Sequence, residues 1–258
     1  GQVLPAEGER RHRVRLFTGC VMSTVFAQTH EATVRVLRRN GCEVVLPENQ
    51  GCCAALHIHG GEFERGRALM RANIEAFERC RLDYVIVNAA GCGSTLKEYS
   101  HLLEREPEWA SRAREFSARV RDVSEFLGSI ELDTRMAPVE ATATYQEACH
   151  LVHAQRISAQ PRRLLAAIPG LRLVEMDEAS VCCGSAGVYN LTQPEYAGRL
   201  LDRKLDNALA VEPDVIVSSN AGCILQMQAG LRRRGVSTQV KHIVELLDEA
   251  YRRGDGRR

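Results

Sequence analysis

Residues 84–94 read YVIVNAAGCGS and residues 215–225 read VIVSSNAGCIL. Each stretch opens with a short apolar run, turns through small residues, and delivers a cysteine directly after a glycine, where a helical pattern begins. Ala90, Gly91 and Cys92 are thus answered by Ala221, Gly222 and Cys223, and the match spreads outward through both halves. Cys20, Cys52, Cys53 and Cys92 are spaced C-x31-CC-x38-C, while Cys149, Cys182, Cys183 and Cys223 are spaced C-x32-CC-x39-C. Gly66 and Arg67 likewise correspond to Gly198 and Arg199. Self-similarity at this fixed period marks a duplication.

The coarse pattern around these cysteines is strand, turn, helix, repeated. Apolar runs at 14–17, 43–46 and 84–87 recur at 143–146, 172–175 and 215–218, with helical stretches at 161–167, 194–210 and 224–233. Strands alternating with amphipathic helices predict a parallel sheet covered on both faces. The expected fold is therefore α/β, two tandem duplicated doubly wound domains, each a small parallel sheet flanked by helices. The expected domains are 1–132 and 141–258, with 133–140 as the linker.

Composition narrows the function. The 258 residues carry 34 Lys plus Arg against 33 Asp plus Glu, a net charge of +1, which leaves no basic footprint for nucleic acid. No apolar stretch approaches the length of a membrane span, and residues 1–13 are too polar for a signal peptide. A cytoplasmic protein is expected, reaching a membrane only through partners. No G-x-G-x-x-G or G-x4-G-K-[ST] stands at a strand-helix turn, so no nucleotide site is predicted. The chain begins with Gly1 rather than Met, as a fragment of a longer protein would.

Ten cysteines in a reducing compartment point to ligation rather than disulfides, and bridging neighbours such as Cys52 and Cys53 would strain the disulfide geometry. Cys42 and Cys80 stand outside the repeat, with Leu171 and Val211 in their places, and are expected to be core residues. The other eight all follow predicted strands, in loops that line one edge of an open parallel sheet. Helix N-termini there favour thiolate, and Gly19, Gly51, Gly91, Gly184 and Gly222 allow tight turns around an inorganic core. Four thiolates per half suit a zinc ion or a four-iron cluster. Zinc sites usually pair their ligands as C-x2-4-C knuckles, so the wide spacing here favours a cluster.

With CCGSAGVYN at 182–190 and NAGC at 220–223, the two C…CC…C units resemble the cysteine-rich CCG domains of the glycolate oxidase iron-sulfur subunit family. LFTGCVM at 16–22, ENQGCCAALHIHGG at 48–61, NAAGCGSTLKEY at 88–99, ACHLVHAQRI at 148–157 and VKHIVELLDEA at 240–250 strengthen the likeness, which covers nearly the whole chain. Lactate-utilisation proteins and the cysteine-rich component of heterodisulfide reductase share the domain pair. The resemblance implies an iron-sulfur cluster, [4Fe-4S], in each half, ligated by the eight duplicated cysteines. It also implies an electron-transfer subunit: a FAD-bearing partner oxidises glycolate to glyoxylate, and this chain passes electrons toward quinone, with no activity alone.

Two departures matter. The heterodisulfide reductase motif ends in CxxC, whereas Cys92 is followed by Gly93, Ser94 and Thr95, and Cys223 by Ile224, Leu225 and Gln226, so a five-thiolate site does not carry over. The family's N-terminal ferredoxin run, C-x2-C-x2-C-x3-C-P, does not occur, and the chain is expected to be a C-terminal portion. His57, His59, His150, His153 and His30 are open to ligation, to hydrogen bonding with cluster sulfur, or to satisfying loop carbonyls. His242 and its counterpart Asp122 are expected to cap helices or lie at the surface. Two other functions compete: a thiol-disulfide or heterodisulfide reductase-type catalytic subunit, and a zinc-stabilised interaction module.

Overall fold

A computed structural model describes residues 1–79 and 82–256; Cys80 lies outside them. The chain divides into two compact units, Gly1–Leu132 and Asp133–Arg258. The first contains β1 (Gln2–Leu4), β2 (His12–Phe17), β3 (Cys42–Leu46), β4 (Tyr84–Val87) and β5 (Val120–Asp122), in the sheet order β1-β3-β2-β4-β5. Its helices are α1 (Val21–Val25), α2 (Ala27–Arg39), α3 (Ala55–His59), α4 (Phe63–Glu78), α5 (Ala90–Leu102), α6 (Ala110–Arg119) and α7 (Val123–Leu127). The second unit has β6 (Ala141–Tyr145), β7 (Leu171–Leu173), β8 (Val215–Ser218) and β9 (Gln239–His242), ordered β7-β6-β8-β9. A π-helical turn at His150–Ala154 precedes α8 (Ala159–Ala166), α9 (Tyr189–Thr192), α10 (Pro194–Leu209), α11 (Ala221–Arg234) and α12 (Ile243–Gly254).

Strands β2 to β5 pair in parallel, as do β6 to β9, and helices flank both sheets as the sequence pattern predicts. Strands β4 and β8 are almost wholly apolar because both faces are covered. Val85, Ile86 and Val87 are buried, and so are Val215, Ile216 and Val217. The edge strand β1 is antiparallel to β3, an addition that no motif announces. In both units the strand order reverses between the first and third parallel strands, β2 and β4 or β6 and β8. That reversal opens a crevice at the carboxyl edge of the sheet.

The core of the first unit reaches that edge. Phe77 of α4 lies 6.0 Å from Phe17 and 5.7 Å from Phe116, and Tyr99 of α5 stacks on Phe116 at 5.4 Å. Cys53 belongs to the same apolar cluster, with Cys52 and Cys92 packed against it.

Three details depart from the sequence pattern. Residues 133–140, read as a linker, are hydrogen-bonded into the second unit: Tyr251 donates to the Asp133 carbonyl at 3.0 Å, Ala137 N–H to Ala250 at 3.0 Å, and Val139 N–H to Pro169 at 2.8 Å. Helices α4 and α10 match at an offset of one residue from the Gly66–Gly198 correspondence. The buried positions Gly66, Met70, Asn73, Ile74, Phe77 have the same spacing as Ala197, Leu201, Lys204, Leu205, Ala208. Burial, not glycine identity, sets the register. Lastly, Asp122 and His242 cap helices as expected, accepting from Ser124 N–H at 2.8 Å and Val244 N–H at 3.2 Å, but both are fully buried rather than at the surface.

Candidate metal centre

Each duplicated cysteine sits where a strand hands over to the next element. In the first unit Cys20 is the N-cap residue of α1, just after β2, and Cys92 lies in the first turn of α5, just after β4. These strands flank the crevice. Cys52 and Cys53 follow β3, and Ala54 adopts the left-handed backbone (φ +75°) that turns the chain into α3. In the second unit Cys149 caps the π-helical turn, Cys182 and Cys183 occupy the loop before α9, and Cys223 lies in the first turn of α11.

The thiols meet in two rows. Cys20 Sγ lies 3.6 Å from Cys52 Sγ, and hydrogen-bonding contacts continue from Cys52 to Cys53 and from Cys53 to Cys92. A Cβ on Gly19 would stand 3.9 Å from Cys92 Sγ, so that loop approaches the far end of the row; its glycine also carries a φ of +62°. In the second unit Cys149, Cys182, Cys183 and Cys223 form the corresponding group, in which Cys149 also feels Cys223. Among the described residues these are contacts between neighbours, and no three His, Cys, Asp or Glu side chains close around the position of a single ion.

Four adjoining thiols cannot all ionise. Cys20 is pushed up by its hydrogen bond to Cys52 and by burial. In the second row the bonds from Cys149 and Cys183 hold Cys182 down, and the bond from Cys183 lowers Cys223. Cys149 and Cys183 keep their protons by donating to Cys182 and Cys223, and a bound cation would take the place of those protons. Backbone groups turn toward the row as well: Gly184 N–H donates to Cys182 Sγ at 3.3 Å.

A second layer holds the loops. Gln50 ties the Cys52 loop to the Cys20 loop, accepting from Thr18 N–H at 2.8 Å and donating to the Leu16 carbonyl at 3.3 Å. Buried Asn73 accepts from Gly51 N–H at 2.9 Å and donates to the Cys52 carbonyl at 2.8 Å, while Tyr99 donates to the Cys53 carbonyl at 3.0 Å. In the second unit Lys204 donates to the carbonyls of Glu178 and Ala179 at 2.6 and 3.1 Å, and Asn220 donates to Cys223 Sγ at 3.4 Å. Gln50, Tyr99 and Asn220 lie within the quoted motifs without a role read for them there, and Asn73 and Lys204 lie in none. For Asn73 and Lys204 the one signal is a polar residue on an otherwise buried helical stripe, as with Asn73 between Met70 and Ile74.

The histidines divide. His150 Nδ1 lies 3.7 Å from Cys149 Sγ, placing it beside the row, whereas His153 Nε2 bonds the Ser180 carbonyl at 3.1 Å. His30 is buried with Nε2 at 2.8 Å from the Thr18 carbonyl and Nδ1 at 3.1 Å from Asn88 Nδ2, a neutral ring that steadies the Cys20 loop. Burial accordingly lowers its pKa. His57 and His59 lie in α3, after Cys53. Cys42 is fully buried in β3, away from both rows, and burial raises its thiol to about 12.

Two cysteine-bearing α/β units of one design define a class of protein, and a family model confirms it. The model described as "Cysteine-rich domain" matches residues 14–97 and 143–228. The chain belongs to this CCG cysteine-rich domain family. It is 43% identical over 251 residues to the probable glycolate oxidase iron-sulfur subunit of Bacillus subtilis (strain 168), covering 96% of this chain and 56% of that protein. It is 30% identical over 240 residues to lactate utilization protein A of Exiguobacterium sp., covering 93% of this chain and 98% of that one. The chain thus spans little more than half of the first relative and nearly all of the second. A crystal structure of a hypothetical protein from Helicobacter pylori shares the fold with a TM-score of 0.63 at 12% identity, over 96% of this chain and 51% of that chain. Among the described residues no helix is long and apolar enough to cross a membrane.

Proposed function

We propose that each half holds an iron-sulfur cluster, [4Fe-4S], on its four duplicated cysteines, and that the chain is an electron-transfer subunit of a 2-hydroxy-acid oxidase. The observation that carries this is the pair of four-thiol rows at the crevice edges of the two sheets. Zinc sites usually pair their ligands as C-x2-4-C knuckles, whereas four widely spaced cysteines gathered at one sheet edge suit an inorganic core that offers each thiolate its own iron. Cys20, Cys52, Cys53 and Cys92 hold one group within 1–132, and Cys149, Cys182, Cys183 and Cys223 hold the other within 141–258.

The cluster supplies one-electron chemistry; the chain supplies its ligands, its burial and the hydrogen bonds around its sulfurs. Cys53 and Cys183 are the deepest vicinal members, while Cys20 lies exposed at the rim. The name of the Bacillus relative supports glycolate as the acid; a flavin-bearing partner as electron source, quinone as the onward acceptor and a cytoplasmic location complete the proposal. Coverage of 98% of lactate utilization protein A favours lactate as the second reading.

Anaerobic purification with iron, sulfide and zinc assays tests the proposal. Two four-iron clusters give about eight irons and eight sulfides per chain, with visible absorbance. A colourless chain carrying zinc overturns it. Oxidation of glycolate or lactate by the isolated chain with an artificial acceptor overturns the division of labour between subunits.

A further inference from the structure

The two rows share their ligand types and their place in the fold, and they differ in the charge beneath them. Helices α4 and α10 are both 16 residues long with matching buried stripes, and the residue that reaches the vicinal-cysteine loop is Asn73 in one and Lys204 in the other. Asn73 brings a neutral amide. Lys204 brings an ammonium that is 1% exposed and, among the described residues, bonded to the neutral carbonyls of Glu178 and Ala179. The Glu178 carboxylate is itself occupied by Arg203 and by Asn207, the latter at 2.9 Å. Burial lowers the Lys204 pKa, while Cys183, Cys223, Glu178 and Cys182 act the other way, so the ammonium and these thiols favour each other. Water screens a buried charge far less than an exposed one.

A second difference acts in the same direction. Asn220, the N-cap residue of α11, donates to Cys223 Sγ, whereas the corresponding N-cap residue of α5 is Ala89, which has no side-chain donor. His150 beside Cys149 adds a further polar neighbour on the second row. Reduction makes a thiolate-bound centre more negative, and both a nearby cation and N–H groups aimed at sulfur stabilise that added charge.

We propose that the second unit's centre has the higher reduction potential of the two, and that Lys204 is the positioning residue that sets it, with Asn220 as its auxiliary. An electron delivered to the chain then settles in the second half. This rests on the proposal that both halves carry clusters.

The test is a redox titration of the loaded, full chain followed by electron paramagnetic resonance, with signals assigned through Cys53→Ala and Cys183→Ala, each removing one. The signal lost in Cys183→Ala is expected at the higher midpoint. Lys204→Met should lower that midpoint alone, cutting the reduced-to-oxidised ratio at fixed potential about tenfold, which is ~59 mV for a one-electron centre. Lys204→Arg should keep it near the original value. Where Lys204→Met fails to load the second centre, Asn220→Ala decides, with a smaller downward shift expected in the same signal. A second-unit midpoint at or below the first, a Lys204→Met shift in both signals or neither, or an unmoved midpoint in Asn220→Ala as decider overturns the inference. Metal analysis separates the two proposals: a wild-type chain without iron defeats both, whereas a loaded chain with the wrong order of potentials defeats this one alone.

Discussion

Beneath the first row of thiols lie Asn73 and Tyr99; beneath the second, the same helical positions hold Lys204 and Gly230. The first pair is a neutral clamp, with Tyr99 accepting from Asn73 at 3.1 Å while donating to the Cys53 carbonyl. In the second unit a ring at position 230 has no room, since even a Cβ there would come within 2.5 Å of Leu205 Cδ1. The loop is held instead by a charged side chain reaching back to two carbonyls. A duplicated fold can therefore keep its thiol geometry while the layer behind it changes from neutral to charged. Strand ends place the thiols, and helix faces choose what supports them.

The sharpest way to break this contrast is to remove the clamp. Asn73→Leu leaves the Gly51 N–H and the Cys52 carbonyl unpaired in a buried place, and should cost about 2–4 kcal/mol in denaturant unfolding. Iron should be lost to a chelator faster from the first unit only. Equal loss from the second unit would show that the two supports are not independent.

The next effect separates Asp122 from its counterpart His242, which fill the same capping role. Full burial raises Asp122 to about 6, against the Ser124 hydrogen bonds that lower it. The folded state therefore binds its proton more tightly than the unfolded chain, whose carboxyl titrates near 4. Stability from this group is present at low pH and is lost as pH rises through about 6. Asp122→Asn keeps an acceptor for the cap without the charge. The wild type should lose on the order of 1–2 kcal/mol relative to the variant between pH 5 and 7.5, read from denaturant midpoints. Parallel pH curves for the two proteins would contradict the assignment.

The smallest effect concerns Cys42, which opens β3 where Leu171 opens β7 in the second unit. Cys42→Ala removes one packed sulfur and should cost about 1 kcal/mol, with iron content unchanged. Loss of iron comparable to that of Cys53→Ala would mean that the repeat does not separate core cysteines from ligands.

Much of this was legible in local pattern. The apolar runs at 84–87 and 215–218 coincide with β4 and β8, because a strand buried on both faces must be apolar throughout. The repeat sorted the eight cysteines into two sets, and the chain folds each set into its own row because each member ends a strand on the same sheet edge. The short strands β5 and β9 were visible only as similar segments, since Val120–Asp122 and Gln239–His242 interleave apolar with polar residues and form no apolar run. Residues 133–140 looked like a linker because their hydrogen-bond partners, Pro169 and Ala250, lie far along the sequence.

The sequence by itself therefore determined the duplication, the strand-turn-helix order and the family, all of which rest on spacing and on residue type at neighbouring positions. Tertiary structure alone decided the register of α4 against α10, the antiparallel β1 and the role of Lys204. Each of these depends on which face of one element meets which loop of another. A lysine flanked by Leu201 and Leu205 reads as a break in an apolar stripe until the loop carbonyls it bonds are seen beside it, because burial and hydrogen bonding are properties of a contact rather than of a residue.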